Sequence, residues 1–276
     1  MSVKKEPSGR RSVQVEIEVP GTPEEVWRAI ATGPGVSAWF VPTDVEERDG
    51  KPVSVTSHFG PGMDSVATVT AWEPPHRFAA EDKALGPAAP PVATEWIVEA
   101  RGGGRCVVRV VHSLFASTDE WDNQLESWEN GWPWFFHILL SYLTEFRGEP
   151  CFTMNALGGA RAPESKAWEA MAGSLGVAGA TVGQRCVATA EAPPLAGRVE
   201  LVQVHPGGHG VLVRLDQPHP GLASLFTHTA GDQVLVVTGF YLYGQRAAAV
   251  AARDEPLWRA WMSERFPAPG DMSCSG

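Results

Sequence analysis

The sequence predicts an α+β protein of two successive modules, each a curved antiparallel sheet wrapped around a long C-terminal helix. Three observations lead there. Alternating apolar and polar residues recur along most of the chain, a short helix pattern interrupts them after the first run, and a long amphipathic pattern closes the first half. From about residue 150 the same order of elements recurs, with the modules expected at residues 1–149 and 150–276.

The run "SVQVEIEV" sets Val13, Val15, Ile17 and Val19 against Gln14, Glu16 and Glu18, the period of a half-buried strand. In "TPEEVWRAIATGPG", Thr22 is an N-cap, Pro23 takes the first helical position and Glu25 completes a capping box. Val26, Trp27 and Ile30 form the apolar stripe, and Gly33, Pro34 and Gly35 are expected to end the helix. The pair Trp39-Phe40 follows, placed by this order at the mouth between helix and sheet. "TDVEERDGKPVSVTSHF" reads as a hairpin turning at Asp49-Gly50. Further strands follow in "DSVATVTAWEPPHRFAAED", with a loop in "KALGPAAPP". "VATEWIVEA" and "RCVVRVVHSLF" flank the turn "RGGG" as another hairpin. Over residues 119–147, Leu125, Trp128, Trp132, Phe136, Leu139 and Leu143 recur at helical steps, with Gly131 and Pro133 expected to kink or divide the helix.

In the second half "EPCFTMNAL" is a strand and "APESKAWEAMAGSLG" repeats the theme of the first helix: proline, glutamate, tryptophan, then glycine. "GQRCVATA", "GRVELVQVH", "GVLVRLD", "LASLFTHT" and "DQVLVVTGFYLYG" are strand candidates, and "RAAAVAARDEPLWRAWMSERF" closes as a helix. The segments "MSVKKEPSGRR" and "PAPGDMSCSG" read as a loose lead and tail.

Composition bounds the function. The 276 residues carry a formal charge of −10, which argues against nucleic acid or an anionic membrane as the main partner. No apolar run reaches the length of a membrane span, and the lead lacks the apolar stretch of a secretory signal, so a cytoplasmic location is expected. Cys106, Cys151, Cys186 and Cys274 lack C-x-x-C spacing and are expected to be structural thiols. No metal and no cofactor are expected. "HPGGH" puts His205 and His209 four apart on a hairpin rather than a helix, and a metal there would need further ligands, for which His219 and His228 are no more than conceivable. "RGGGR" lies between strands and is a turn, not a phosphate loop.

The first half also resembles a known family. "TPEEVWRAIATGPGVSAWF", "VTAWEPPHRF", "TEWIVEARGGGRCVVRVVHSLF" and "GWPWFFHILLSYL" match, in order and spacing, the bacterial activator-of-Hsp90-ATPase-homologue branch of the SRPBCC superfamily, also called START-like or helix-grip. The resemblance covers residues 12–147 and implies a helix-grip fold with a deep apolar cavity between sheet and long helix. The second half resembles it only in element order and in the Glu-Ser-Lys-Ala-Trp helix. Superfamily members include lipid carriers, hormone receptors and aromatase/cyclases, so the fold does not choose among functions.

Strand parity locates the candidate site. In "RCVVRVVHSL", Cys106, Val108, Val110 and His112 share the inward face, as do Thr94, Trp96 and Val98 on the neighbouring strand. The ligand-binding candidates are Trp39, Phe40, Trp96, His112, Trp128, Trp132 and Phe136. His112 is the one catalytic candidate, as an acid, a base or a ligand-orienting group. Its plainer role is a buried neutral histidine bonded within the fold, and the tryptophans are more often core than binding site. The expected function is binding of an apolar aromatic, lipid-like or polyketide-like small molecule. A cofactor-free cyclase, aromatase or dehydratase is the alternative, and a chaperone-linked or stress-response interaction module is a third.

Overall fold

The computed structural model describes residues 3–60, 62–83, 89–205 and 207–267. The chain divides into two compact units, Met1–Gly148 and Glu149–Gly276.

The first unit runs β1 (Lys4–Lys5), β2 (Arg10–Pro20), α1 (Pro23–Ala31), α2 (Gly33–Ser37), β3 (Thr43–Arg48), β4 (Lys51–His58), β5 (Asp64–Glu73), β6 (Arg77–Asp82), β7 (Val92–Arg101), β8 (Arg105–Phe115) and α3 (Asp122–Ser141). A π-helical turn, Tyr142–Phe146, extends α3. The sheet order is β1-β2-β8-β7-β6-β5-β4-β3. All neighbours are antiparallel, so the meander β3–β8 brings its last strand back onto β2. Register shifts between Glu46 and Glu47 and between Val69 and Ala71 bend the sheet.

Local chemistry explains the helix entry. Thr22 Oγ1 accepts from the Glu25 amide at 3.3 Å while Glu25 accepts from the Thr22 amide at 2.8 Å. Arg147 donates to that carboxylate at 2.6 Å, tying the end of the π-turn to the start of α1. The glycines after α1 do more than stop it. Thr32 caps a second, one-turn helix by accepting from Gly35 N at 3.1 Å. A Cβ on Gly35 would lie 1.9 Å from the Arg28 carbonyl, so only glycine permits this approach. Asp49 and Gly50 both take positive φ, 52° and 72°, as a two-residue hairpin turn with right-handed twist requires.

The lead differs from expectation. Lys4 and Lys5 pair with Ser12 and Arg11 as a short edge strand, and Val3 packs in a cluster with Val13, Leu114 and Leu125. Arg11 and Lys5 bind Asp122 at 2.6 and 2.8 Å, so charge holds the segment against the start of α3. The long helix also differs: Pro133 is accommodated inside an unbroken α3.

The second unit runs β9 (Cys151–Ala160), α4 (Glu164–Leu175), β10 (Arg185–Val187), β11 (Ala196–His205), β12 (Gly208–Gln217), β13 (Gly221–Ala230), β14 (Gln233–Tyr243) and α5 (Ala247–Arg265). Its order, β10-β11-β12-β13-β14-β9, again returns the last strand to the first. One apolar core joins the sheet to both helices, with Met171 and Leu175 from α4 and Trp258 and Met262 from α5. The fold is a tandem helix-grip, two antiparallel sheets each closed by a long C-terminal helix.

Candidate functional site

Four elements of the first unit deliver the candidate residues to one place. The register sets Thr94 of β7 opposite His112 of β8, and Trp96 opposite Val110, so their side chains rise on the same face. The buried stripe of α3 lays Trp132 and Phe136 over that face. The segment after α2 adds Trp39 and Phe40.

All seven candidates meet in one aromatic cluster. Trp96 packs edge-on against Trp132 at 5.2 Å and against Phe136 at 6.2 Å. Phe40 stacks on Trp132 at 5.4 Å, and Trp39 meets Trp96 at 5.9 Å. His112 lies 5.2 Å from Trp128 and stacks on Trp132 at 5.6 Å. Such separations are those of rings in direct contact. Sequence reading missed at least three members, among them Phe78, which stacks on Trp96 at 6.3 Å. Phe135 touches Phe40 at 4.7 Å and Phe59 touches it at 5.8 Å. Phe135 sits beside the predicted Phe136, but lies off the stripe used to select helix residues.

Two placements correct the sequence-based picture. Trp39 is not at a rim: it is fully buried, and its indole N–H donates to the Ala29 carbonyl at 2.9 Å. That bond holds the ring under α1 and leaves half-buried Phe40 as the outer member of the pair. The deep cavity implied by the resemblance is replaced by packed rings, because sheet and helix both contribute tryptophans that touch across the interior. A groove of about 440 Å³ elsewhere in this unit is lined by residues including Thr32, Ser37, Asp44 and Trp72, and by none of the seven candidates.

His112 is the polar centre of the cluster. Trp132 Nε1–H donates to His112 Nε2 at 2.6 Å, so that nitrogen is bare. The ring proton is therefore on Nδ1, which lies 2.9 Å from Thr94 Oγ1 and donates to it. Burial alone pushes the imidazole down to about 4, since a charged ring here would lose its water. His112 is thus neutral, fixed in one tautomer and bonded to both walls. It can act as a base only if the Trp132 indole leaves Nε2.

Other titratable groups of the sequence analysis lie outside the cluster. His58 bridges Asp44 and Asp64 at 3.0 Å each on the exposed sheet edge, and Asp44 contributes most to raising its proton affinity. Cys106 and Cys186 are buried, with Cys106 donating to the Gly21 carbonyl, and burial pushes the Cys151 thiol up to about 12. Cys274 and most of the "KALGPAAPP" loop lie outside the described residues. Among the described residues no group of His, Cys, Asp and Glu is arranged to hold a metal ion, and no helix is long and apolar enough to cross a membrane.

Comparison with known proteins agrees with the geometry of the first unit. Residues 10–137 match the family described as polyketide cyclase / dehydrase and lipid transport. That match lies within the first unit. No curated protein matches the chain. Among solved structures, the chain is similar to the di-domain ARO/CYC BexL from the BE-7585A biosynthetic pathway (14% identity, 94% of this chain and 99% of that one, TM-score 0.44). It is similar to DynU16 from the dynemicin biosynthetic locus (20% identity, 95% and 98%, TM-score 0.41). It is also similar to Aha1 from Colwellia psychrerythraea (17% identity, 48% and 95%, TM-score 0.38). At scores this low the likeness says nothing about function.

Proposed function

We propose that the first domain, which resembles SRPBCC proteins, binds an apolar, ring-bearing small molecule between its sheet and α3, with His112 as the polar anchor. One observation carries this reading: the bridge Thr94–His112–Trp132 crosses the interior from sheet to helix inside a shell of aromatic rings. An apolar core has no need of such a bridge, since burying polar groups brings little net stability even when they are paired. A ligand hydroxyl can take the place of the Trp132 indole at Nε2 while its rings replace indole contacts. Trp132 then acts as a plug that ligand entry displaces. The family description, which names cyclases, dehydrases and lipid transport, fits an apolar cargo.

Cofactor-free cyclisation or dehydration is the same site with one more role, His112 taking or giving a proton once Nε2 is uncovered. A different reading is favoured by the packing itself. Rings that already fill the interior are core, and function would then lie on the surface with a protein partner.

Calorimetric titration of the full chain with 2-naphthol separates these. Binding is expected, weakened about tenfold in His112→Gln by loss of one hydrogen bond of about 1.4 kcal/mol. Trp132→Ala is expected to bind more tightly than wild type, because no plug has to move. Absence of heat in both wild type and Trp132→Ala would assign the cluster to the core.

A further inference from the structure

We infer that the second unit carries an acid–base site of its own, in which Glu164 orients His209 for proton transfer at Nε2.

His209 and Thr227 stand directly opposite each other on β12 and β13 and share a face of the sheet. Along those strands the same face carries Val211 and Val213, Leu225 and Ala223, all in the core of this unit. The pair therefore ends the core-facing rows. The first residue of α4 reaches down to it. Both oxygens of Glu164 lie 2.9 Å from His209 Nδ1, and the buried Thr227 hydroxyl donates to Glu164 Oε1. Trp168, one turn along α4, stacks on the imidazole with ring centroids 5.5 Å apart and planes 13° from parallel.

Each contact restrains the histidine in a different way. An ionised carboxylate only accepts, so Nδ1 must carry the proton and Nε2 is left with its lone pair. Trp168 fixes the ring plane, and Thr227 fixes the carboxylate. No described residue bonds Nε2, and the side chain keeps 27% of its exposure while Glu164 keeps 11%. A carboxylate behind the imidazole holds its tautomer and stabilises the imidazolium formed when Nε2 takes a proton. His112 lacks both features: its Nε2 is occupied and no carboxylate backs it.

The apolar surroundings set the substrate class. The partly buried Trp168 ring beside the imidazole suits an apolar molecule carrying a C–H acidified by a neighbouring carbonyl. Nε2 takes that proton, the C–H electron pair forms a C=C bond as the carbonyl π pair moves onto oxygen to give an enolate, and the imidazolium returns the proton to carbon or oxygen. No co-reactant is needed. His209 would be the catalytic residue and Glu164 a positioning residue.

The test uses 5-nitrobenzisoxazole with the full chain. A base removes its ring C–H proton, the electron pair forms the nitrile as the N–O bond breaks, and a coloured nitrophenolate is released. The protein-dependent rate is expected to fall about tenfold or more in both His209→Gln and Glu164→Ala, and to stay unchanged in His58→Gln, a surface control. Long-range 1H–15N spectra of the wild type are expected to show His209 protonated at Nδ1 and bare at Nε2, and Glu164→Ala to lose that pattern. A wild-type rate no faster than buffer overturns the site, as does full rate in His209→Gln or in Glu164→Ala. The opposite His209 tautomer in the wild type overturns it without any variant.

Discussion

Solvation decides what His112 can do. Its nitrogens are satisfied by Thr94 and Trp132, yet neither partner supplies the negative charge that would hold a proton there. Burial sets its proton affinity at about 4, while an unfolded chain returns it to about 6.5. Between those values the unfolded state binds more protons than the folded one, so stability is complete above pH 6.5 and falls as pH drops toward 4. The full loss is about 3 kcal/mol for a shift of this size. Denaturant unfolding of wild type and His112→Gln from pH 7 to pH 4 checks this. Wild type is expected to lose that much more than the variant, and parallel curves would mean that His112 is solvated. At this scale parity was a sufficient guide for His112 and Thr94, because cross-strand register follows from alternation. It failed for Trp39, whose position depends on a bond to the Ala29 carbonyl that no sequence spacing encodes. It also did not join Glu164 to His209, 45 residues apart in the chain and brought together only when α4 lies on the sheet.

Among elements, close approaches define where the helices can lie. In the second unit the end of α5 meets β9 at Gly158, where an added Cβ would come within 2.5 Å of Phe266 Cβ, and Gly159 N donates to the Phe266 carbonyl at 3.1 Å. Gly158→Ala is therefore expected to cost about 1–3 kcal/mol through overpacking, measured by urea unfolding. Gly102→Ala, in open space on a hairpin turn, is expected to change stability by less than about 0.5 kcal/mol. Equal effects at both positions would show that α5 does not press on β9. The strands and long helices were legible because their periodicities run for many residues. The short α2 was not, since its composition, Gly-Pro-Gly-Val-Ser, signals a break and only the Thr32 cap and the room made by its glycines permit a helical turn. The β1 edge strand was hidden for a similar reason: two lysines carry no period, and Asp119 and Asp122 supply the counter-charge from over a hundred residues away.

For the molecule as a whole, the sequence repeats an order of elements rather than residues, and the two sheets are built by the same return of last strand to first. Each unit has its own buried core, so residues 1–149 expressed alone are expected to fold. Cooperative thermal unfolding of that fragment checks this, and a molten fragment would mean that the halves share a core. What the sequence could not convey was whether the interior of the first domain is empty or full. Tryptophan spacing places rings on the inward faces, but only their packing shows that Trp96 and Trp132 close the space between the walls. Ligand binding requires that closed interior to open. The direct measurement is a crystal structure of the full chain with 2-naphthol. It is expected to show the naphthol hydroxyl on His112 Nε2 and the Trp132 indole moved out of the interior. Naphthol bound elsewhere, with the Trp132–His112 bond intact, would contradict it.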